Sequence, residues 1–260
     1  MSLHPDWLLP DWQAPGAGAL MTTRLGGASA APFDSFNLGA AVGDDPASVA
    51  ANRASLALAI GARPVFLKQV HGARVVRLSI ADAQADASLH EADASITTEP
   101  GVACAVQVAD CLPVLFAAPG GAAVGAAHAG WRGLAQGVLE ATVKAVCQAA
   151  HCEPVEVQAW LGACIGPRQF EVGADVLEAF GANPTHADVA RFQARNQARK
   201  PGQWWANLPL LARDRLAAAG VSRISGGHWC SVEAPSRFFS FRRDHVTGRM
   251  AAVVWIERRR

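Results

Sequence analysis

The longest apolar stretch of the chain, residues 112–131, is interrupted in a way that decides how it can fold. A membrane-spanning helix needs about 20 apolar residues on an unbroken helical backbone. Here Pro113, Pro119, Gly120, Gly121 and His128 break the run; proline removes a backbone donor and glycine loosens a helix. The stretch therefore reads as two buried strands, 112–117 and 122–129, joined by a turn. Residues 102–108 read as a further strand just before it.

The 260 residues are 51% hydrophobic and 17% charged, enough apolar material for a sizeable core. Compact domains of roughly 250 residues are common, so residues 1–260 are expected to form one domain. A net charge of +1 and a pI near 7.7 provide no basic face, so neither nucleic acid nor a membrane surface is expected as a partner. Arg258, Arg259 and Arg260 read as a solvated tail. The N-terminal segment lacks the basic-then-apolar order of a secretory signal, which implies a cytoplasmic location. Cys104, Cys111, Cys147, Cys152, Cys164 and Cys230 show no paired CxxC spacing, so free thiols, mostly buried, are expected.

The remaining order is mixed α/β without an internal repeat. Asp45 and Pro46 before the alanine-rich 47–60 predict an N-capped helix that Gly61 stops. Residues 65–70 and 75–80 read as strands around a His71-Gly72 turn, 81–91 as a loop or weak helix, and 93–97 as a strand. The recurrence of Leu134, Val138, Val143 and Val146 predicts a helix over 131–149. Strands are expected at 155–162, 238–242 and 250–256, helices at 173–180 and 208–219, and an exposed polar excursion at 183–202.

Three residues at the edges of these runs carry donor atoms: His71 in Val70-His-Gly72, Cys111 in Ala109-Asp-Cys111 and His128 in Ala127-His-Ala-Gly130. Singly, either histidine reads as a hydrogen-bonded structural residue and the cysteine as a small buried hydrophobe. Together they make a set that one borderline-soft metal could take, leaving a fourth position open to water or substrate. His128 also precedes a glycine and the start of the expected helix, where backbone N–H groups could receive an anion. Distant ligands obey no tight spacing rule, so both readings stand on the residues alone.

A longer series of motifs carries a resemblance. In chain order they are Thr23-Arg-Leu-Gly-Gly27 with Ser29, Phe36-Asn-Leu-Gly39, Val42-Gly-Asp-Asp45, Asn52-Arg53, Gln69-Val-His-Gly72, Ala92-Asp-Ala94 and Ala109-Asp-Cys-Leu-Pro113. They continue as His128-Ala-Gly-Trp-Arg-Gly133, Gly166-Pro167, Phe239-Ser-Phe-Arg-Arg-Asp244 and Thr247-Gly-Arg249. Over nearly its whole length the chain resembles the YfiH-like proteins, also called the DUF152 or laccase-like multicopper polyphenol oxidase family. The resemblance implies a single layered α/β domain of mixed sheets flanked by helices, related to the catalytic domain of cytotoxic necrotizing factor toxins. It implies zinc held by His71, Cys111 and His128. It also implies phosphorolysis of purine nucleosides (adenosine, inosine, guanosine and methylthioadenosine), with deamination of adenosine as a side activity.

Phosphorolysis needs an anion site, stabilisation of charge developing on the ribose, and help for the leaving purine. Arg24, Asn37, Arg53, Arg132 and Arg242 lie within the matched motifs and are the expected substrate-binding residues, arginine being suited to grip phosphate; each has an equally ordinary reading as a structural or surface residue. Deamination would use water activated by the metal. The H-x-E and P-C-x-x-C pattern of zinc nucleobase deaminases does not fall on these donors, since His71 is followed by Gly-Ala, His128 by Ala-Gly and Cys111 by Leu-Pro-Val, which leaves Asp110 and Asp93 as candidate proton carriers or as outer partners that orient a histidine. A copper oxidase is an alternative, since a His, Cys, His set also suits copper; yet reducing oxygen to water requires several coppers, and none of the eight histidines forms an H-x-H pair. A metal-free alternative pairs Cys111 as nucleophile with His128 as base in amide hydrolysis, for instance in editing peptidoglycan precursors, a role linked to some family members. A purely binding role is the third class. The expected partners are purine nucleosides and phosphate, on a monomer or weak homo-oligomer.

Overall fold

A computed structural model describes residues 3–84, 87–183, 186, 188–194 and 202–257. Two large sheets stack face to face, with helices on their outer faces. The first sheet has β1 (Ala17–Met21), β13 (Met250–Ile256), β5 (Val102–Val108) and β2 (Arg63–Val65) in that spatial order. The second has β12 (Arg223–Gly226), β8 (Gln158–Leu161), β6 (Leu112–Ala117), β7 (Val124–Ala129), β4 (Ala94–Thr97) and β3 (Val75–Leu78). Its outer pairs, β12 with β8 and β4 with β3, are parallel, and its centre is antiparallel. A small antiparallel sheet joins β9 (Glu171–Val172), β10 (Phe192–Ala194) and β11 (Trp204–Ala206).

Side-chain alternation sorts these strands into three cores. In β6, Leu112, Val114 and Phe116 face the helices α3 (Val138–Ala150) and α5 (Leu208–Ala218), while Leu115 and Ala117 face the other sheet. In β5, Cys104, Val106 and Val108 enter that inter-sheet core, and Ala103 and Ala105 face α1 (Pro46–Ile60). Both faces being covered, the strands read as continuous apolar runs.

The helix α1 starts where expected. Asp45 accepts from the N–H groups of Ala47 and Ser48, Pro46 occupies the first turn, and Gly61 closes the helix at φ 64°. No described helix is long and apolar enough to cross a membrane.

Elsewhere the expected bounds shift. The helix foreseen over 131–149 is two, α2 (Trp131–Ala135) and α3, because Gly137 sits at φ 91°. Residues 238–242 do not form a strand: Ser240 caps α6 (Phe241–Asp244) by accepting from the Arg243 N–H. The strand foreseen at 65–70 ends at Val65, and residues beyond it form a loop; β3 stops at Leu78 before a single 3₁₀ turn at Ile80–Ala83. Residues 155–162 divide into a 3₁₀ turn at Pro154–Glu156 and β8. The helix at 173–180 is α4 (Ala174–Ala179). Of the excursion at 183–202, residues 184–185, 187 and 195–201 lie outside the described residues, and β10 falls in the remainder. All six cysteines are free, but only Cys104 and Cys164 are buried, so "mostly buried" was too strong an expectation.

Candidate metal centre

Two of the three donors belong to the β6–β7 pair, one within a strand and one just before it. His128 lies in β7 opposite Pro113 of β6, and Cys111 immediately precedes β6. The turn into β6 is tight: Asp110 adopts φ 99°, and its carboxylate accepts from Ser231 Oγ and the Arg242 N–H, both at 2.6 Å. His71 arrives differently, on the loop after β2, with φ 62°. The side-chain amide of Gln69 zips that loop to β5, donating to the Gln107 carbonyl at 2.9 Å and accepting from its N–H at 2.7 Å.

Asp93 joins the two halves. Its fully buried carboxylate accepts from the backbone N–H groups of Val70 at 3.1 Å, His71 at 2.9 Å and Gly72 at 2.7 Å. It also pairs with His128 Nδ1 at 2.8 Å. A carboxylate only accepts, so Nδ1 carries a proton, and Nε2 is the nitrogen that would give a lone pair to the cluster once the ring loses its second proton to a metal. The loop packs tightly against α2: a Cβ on Gly133 would fall 2.7 Å from the Gly72 carbonyl oxygen, and one on Gly130 3.0 Å from Cys111 Sγ and from His71 Cδ2.

One donor atom from each of His71, Cys111 and His128 lies within 4.8 Å of the others, with Cys111 Sγ 3.8 Å from His71 Nε2. Donors of one tetrahedral ion stand about 3.5 Å apart given metal–ligand lengths near 2.0–2.3 Å, so the set fits a single ion after small adjustment. No second group of three such residues occurs among the described residues. The electrostatics suit a cation. Burial pushes the Cys111 thiol up, but the charge of His128 and hydrogen bonds from both histidines outweigh it and bring it down to about 6. Burial opposes charge on His128, yet the Cys111 thiolate and the hydrogen bond to Asp93 raise it to about 9. Asp93 is likewise held below the usual carboxylate range, because its bonds to His128 and the loop amides outweigh burial. By contrast, burial alone drives the Cys104 thiol up to about 12, the state of an inert cysteine.

Two cavities meet at this cluster, sharing His71, Ala109, Cys111 and Phe241. The larger, about 570 Å³, lies on the side of Arg53, Gln107 and Arg249. The smaller, about 220 Å³, lies on the side of Asp110, Trp131, Arg132 and Arg242. Among the residues expected from the sequence to bind substrate, Arg53, Arg132 and Arg242 therefore line cavities, although the Arg242 guanidinium is bonded to the carbonyls of Gln169 and Glu171. The structure does not bring Arg24 or Asn37 to either cavity: Arg24 is paired with Asp34 at 3.1 Å, and Asn37 is fully buried, bonded to Gly39 and Asp44. Sequence reasoning passed over Arg249 and Gln107 as cavity residues. The signal for Arg249 lay in the Thr247-Gly-Arg249 motif, and nothing local distinguished Gln107.

Stacked mixed sheets with a three-donor cluster at the junction of two cavities define a layered α/β protein with a candidate metal centre. The chain belongs to the family described as multi-copper polyphenol oxidoreductase laccase, whose model matches residues 18–257. It is 48% identical over 253 residues to a purine nucleoside phosphorylase of Pseudomonas aeruginosa, covering 96% of this chain and 98% of that protein. It is 47% identical to purine nucleoside phosphorylase YfiH of Escherichia coli over 96% of this chain and 98% of that one. The crystal structure of a DUF152-family protein from Neisseria meningitidis superposes with a TM-score of 0.86 at 42% identity, covering 97% of this chain and all of the other.

Proposed function

We propose that this protein is a zinc-dependent purine nucleoside phosphorylase, converting adenosine, inosine, guanosine and methylthioadenosine with phosphate to free base and pentose 1-phosphate, and deaminating adenosine as a side reaction. The observation that carries the proposal is the placement of the His71, Cys111 and His128 donors at the junction of two cavities, in a chain almost half identical to phosphorylases over nearly its full length. The donor set and the downward shift of the Cys111 thiol suit zinc, which when bound supplies Lewis-acid polarisation at its open position. Asp93 fixes the loop that carries His71 and holds the His128 ring with Nε2 toward the cluster. The exposed ring of Phe241, shared by both cavities, offers a face on which a purine stacks. A single three-donor cluster among the described residues speaks against a laccase, which needs several coppers. Common strands contribute to the cores on both sides of each large sheet, which supports treating residues 1–260 as one domain.

One observation favours a second reading. A thiol held near 6 beside an imidazole held near 9 is also what a cysteine nucleophile and its base require for amide hydrolysis. Metal analysis of protein purified without added metal, together with inosine and adenosine turnover with and without phosphate, tests both. The expected result is about one zinc per chain and phosphate-dependent release of base and ribose 1-phosphate, abolished by Cys111→Ala. Equal ribose release without phosphate would overturn phosphorolysis. Rapid iodoacetamide labelling of Cys111 in metal-replete, active protein would favour the hydrolase.

A further inference from the structure

The larger cavity carries positive charge that no carboxylate in its lining balances; only the Cys111 thiolate there favours the charge on Arg249. Arg53, Lys68 and Arg249 line it, and no aspartate or glutamate does. Lys68 is paired with Glu91 at 3.0 Å. Arg53 and Arg249 have no carboxylate within ion-pair distance among the described residues. Arg53 lies 4.1 Å over the Phe66 ring and donates Nε and Nη2 to the Leu38 carbonyl. Arg249 commits Nη1 to the carbonyls of Thr247 and Gly248, which leaves its Nε and Nη2 without a hydrogen-bond partner among the described residues. Burial disfavours the charge on both guanidinia, and a half-buried unpaired cation is costly.

The fold nevertheless holds both in place. The Leu38 N–H donates to the Arg249 carbonyl at 3.0 Å, so the segment that receives Arg53 also pairs with Arg249. Buried Asn37 accepts from the Arg249 N–H at 2.8 Å. Gly39 lets the arginine stem lie against the backbone, since a Cβ there would fall 2.8 Å from Arg249 Cγ. The smaller cavity lacks these properties: the Asp110 carboxylate lines it, and Arg242 is bonded to carbonyls. A planar guanidinium with free donors is matched to the oxygens of a tetrahedral anion.

We propose that Arg249, with Arg53 beside it, forms the anion subsite of the larger cavity, taking inorganic phosphate in the forward reaction and the phosphate of the pentose 1-phosphate in reverse. This rests on the phosphorylase reading and assigns its second substrate a place. In the step it serves, a phosphate oxygen bonds to C1′ as the C1′–N9 bond breaks. The electron pair of that bond leaves on the purine, and the proton of hydrogen phosphate ends on the base.

The test compares wild type with Arg249→Gln and Arg132→Gln, all checked for wild-type thermal unfolding and metal content. Steady-state KM values for phosphate and inosine are read, and inorganic phosphate is titrated calorimetrically without nucleoside. Arg249→Gln should raise KM for phosphate and weaken phosphate binding about ten- to a hundredfold, as loss of a charge-assisted hydrogen bond implies, while KM for inosine moves less than about threefold; Arg132→Gln should leave phosphate unchanged. Should Arg249→Gln unfold, Arg249→Lys takes its place, its point charge lacking the fork and so weakening phosphate to a smaller degree. Unchanged phosphate binding in the Arg249 variant, or a loss in Arg132→Gln instead, overturns the assignment. Wild type that binds phosphate through Arg249 yet cleaves no nucleoside would sink the phosphorylase reading and leave the anion subsite standing.

Discussion

His128 and His71 reach the same cluster by opposite means. His128 is 3% exposed, sits in the middle of a sheet, and is placed by the ladder between β6 and β7. His71 is exposed on an irregular loop with positive φ; the Asp93 carboxylate places it by accepting three successive backbone N–H groups, and Gln69, two residues earlier, ties the loop to β5. A strand position is set by many hydrogen bonds, none individually essential; a loop position held by two side chains is set as firmly only while both keep their partners and Asp93 stays ionised and buried. Asp93 serves both histidines, so the weak side of the centre is tied to the strong one.

The largest effect should come from the strand side. His128→Ala or Cys111→Ala is expected to lower metal affinity and turnover by more than about a hundredfold, beyond what loss of an outer partner does, with circular dichroism unchanged. A smaller loss than in His71→Ala would reverse the ranking of the two sides. Asp93→Asn comes next. An amide cannot accept with its NH₂ half, so at least one loop N–H or the His128 proton loses its partner, and a ten- to hundredfold drop in metal affinity is expected. Faster hydrogen exchange at Val70, His71 and Gly72 should accompany it; exchange left at the wild-type rate would show that something other than Asp93 holds the loop.

A pH experiment has an effect of about tenfold. In metal-free protein the Cys111 thiol is held down to about 6, so the thiolate is present above that pH and is lost as pH falls through it. Alkylation should rise about tenfold between pH 5 and 7, and at pH 7 run about two- to threefold faster than for an ordinary thiol, because the lower basicity of the sulfur also lowers its nucleophilicity. A rise centred near 8.5 would mean that His128 does not bear on the sulfur. The smallest effect is Gly133→Ala. Its Cβ would press on the Gly72 carbonyl, and because the loop can yield, a cost of about 1 kcal/mol in urea unfolding is expected, at the low end for overpacking. A cost several times larger would make the loop as rigid as the sheet.

What the sequence revealed follows the same division. The bounds of β5, β6 and β13 coincide with the apolar runs because both faces of these strands are covered. Asp45, Pro46 and Gly61 announced α1 because capping is local. The strand β1 gave no signal: its Gly18 is required by Trp255, whose ring lies where a Cβ would fall, at 2.2 Å. Leu134 and Val138 continued a helical period across a break made by the φ of one glycine, and Phe238 to Phe241 looked strand-like until Ser240 found the Arg243 N–H. The three donors were legible through their motifs. Which arginines line a cavity was not, since Arg24 and Arg249 differ only in what the folded chain sets beside them.

Exposure also grades across the cluster, from His71 at the surface through half-buried Cys111 to buried His128. For a metal bound here, such a gradient would govern kinetics rather than affinity. A metal held by this cluster would gain its last bond and lose its first at the outer ligand, so the loop would set the rate at which chelators strip it. The same openness admits a substitute: with His71→Gly, free imidazole in the buffer can occupy the vacated edge and restore the third donor, a form of chemical complementation that the sealed surroundings of His128 forbid.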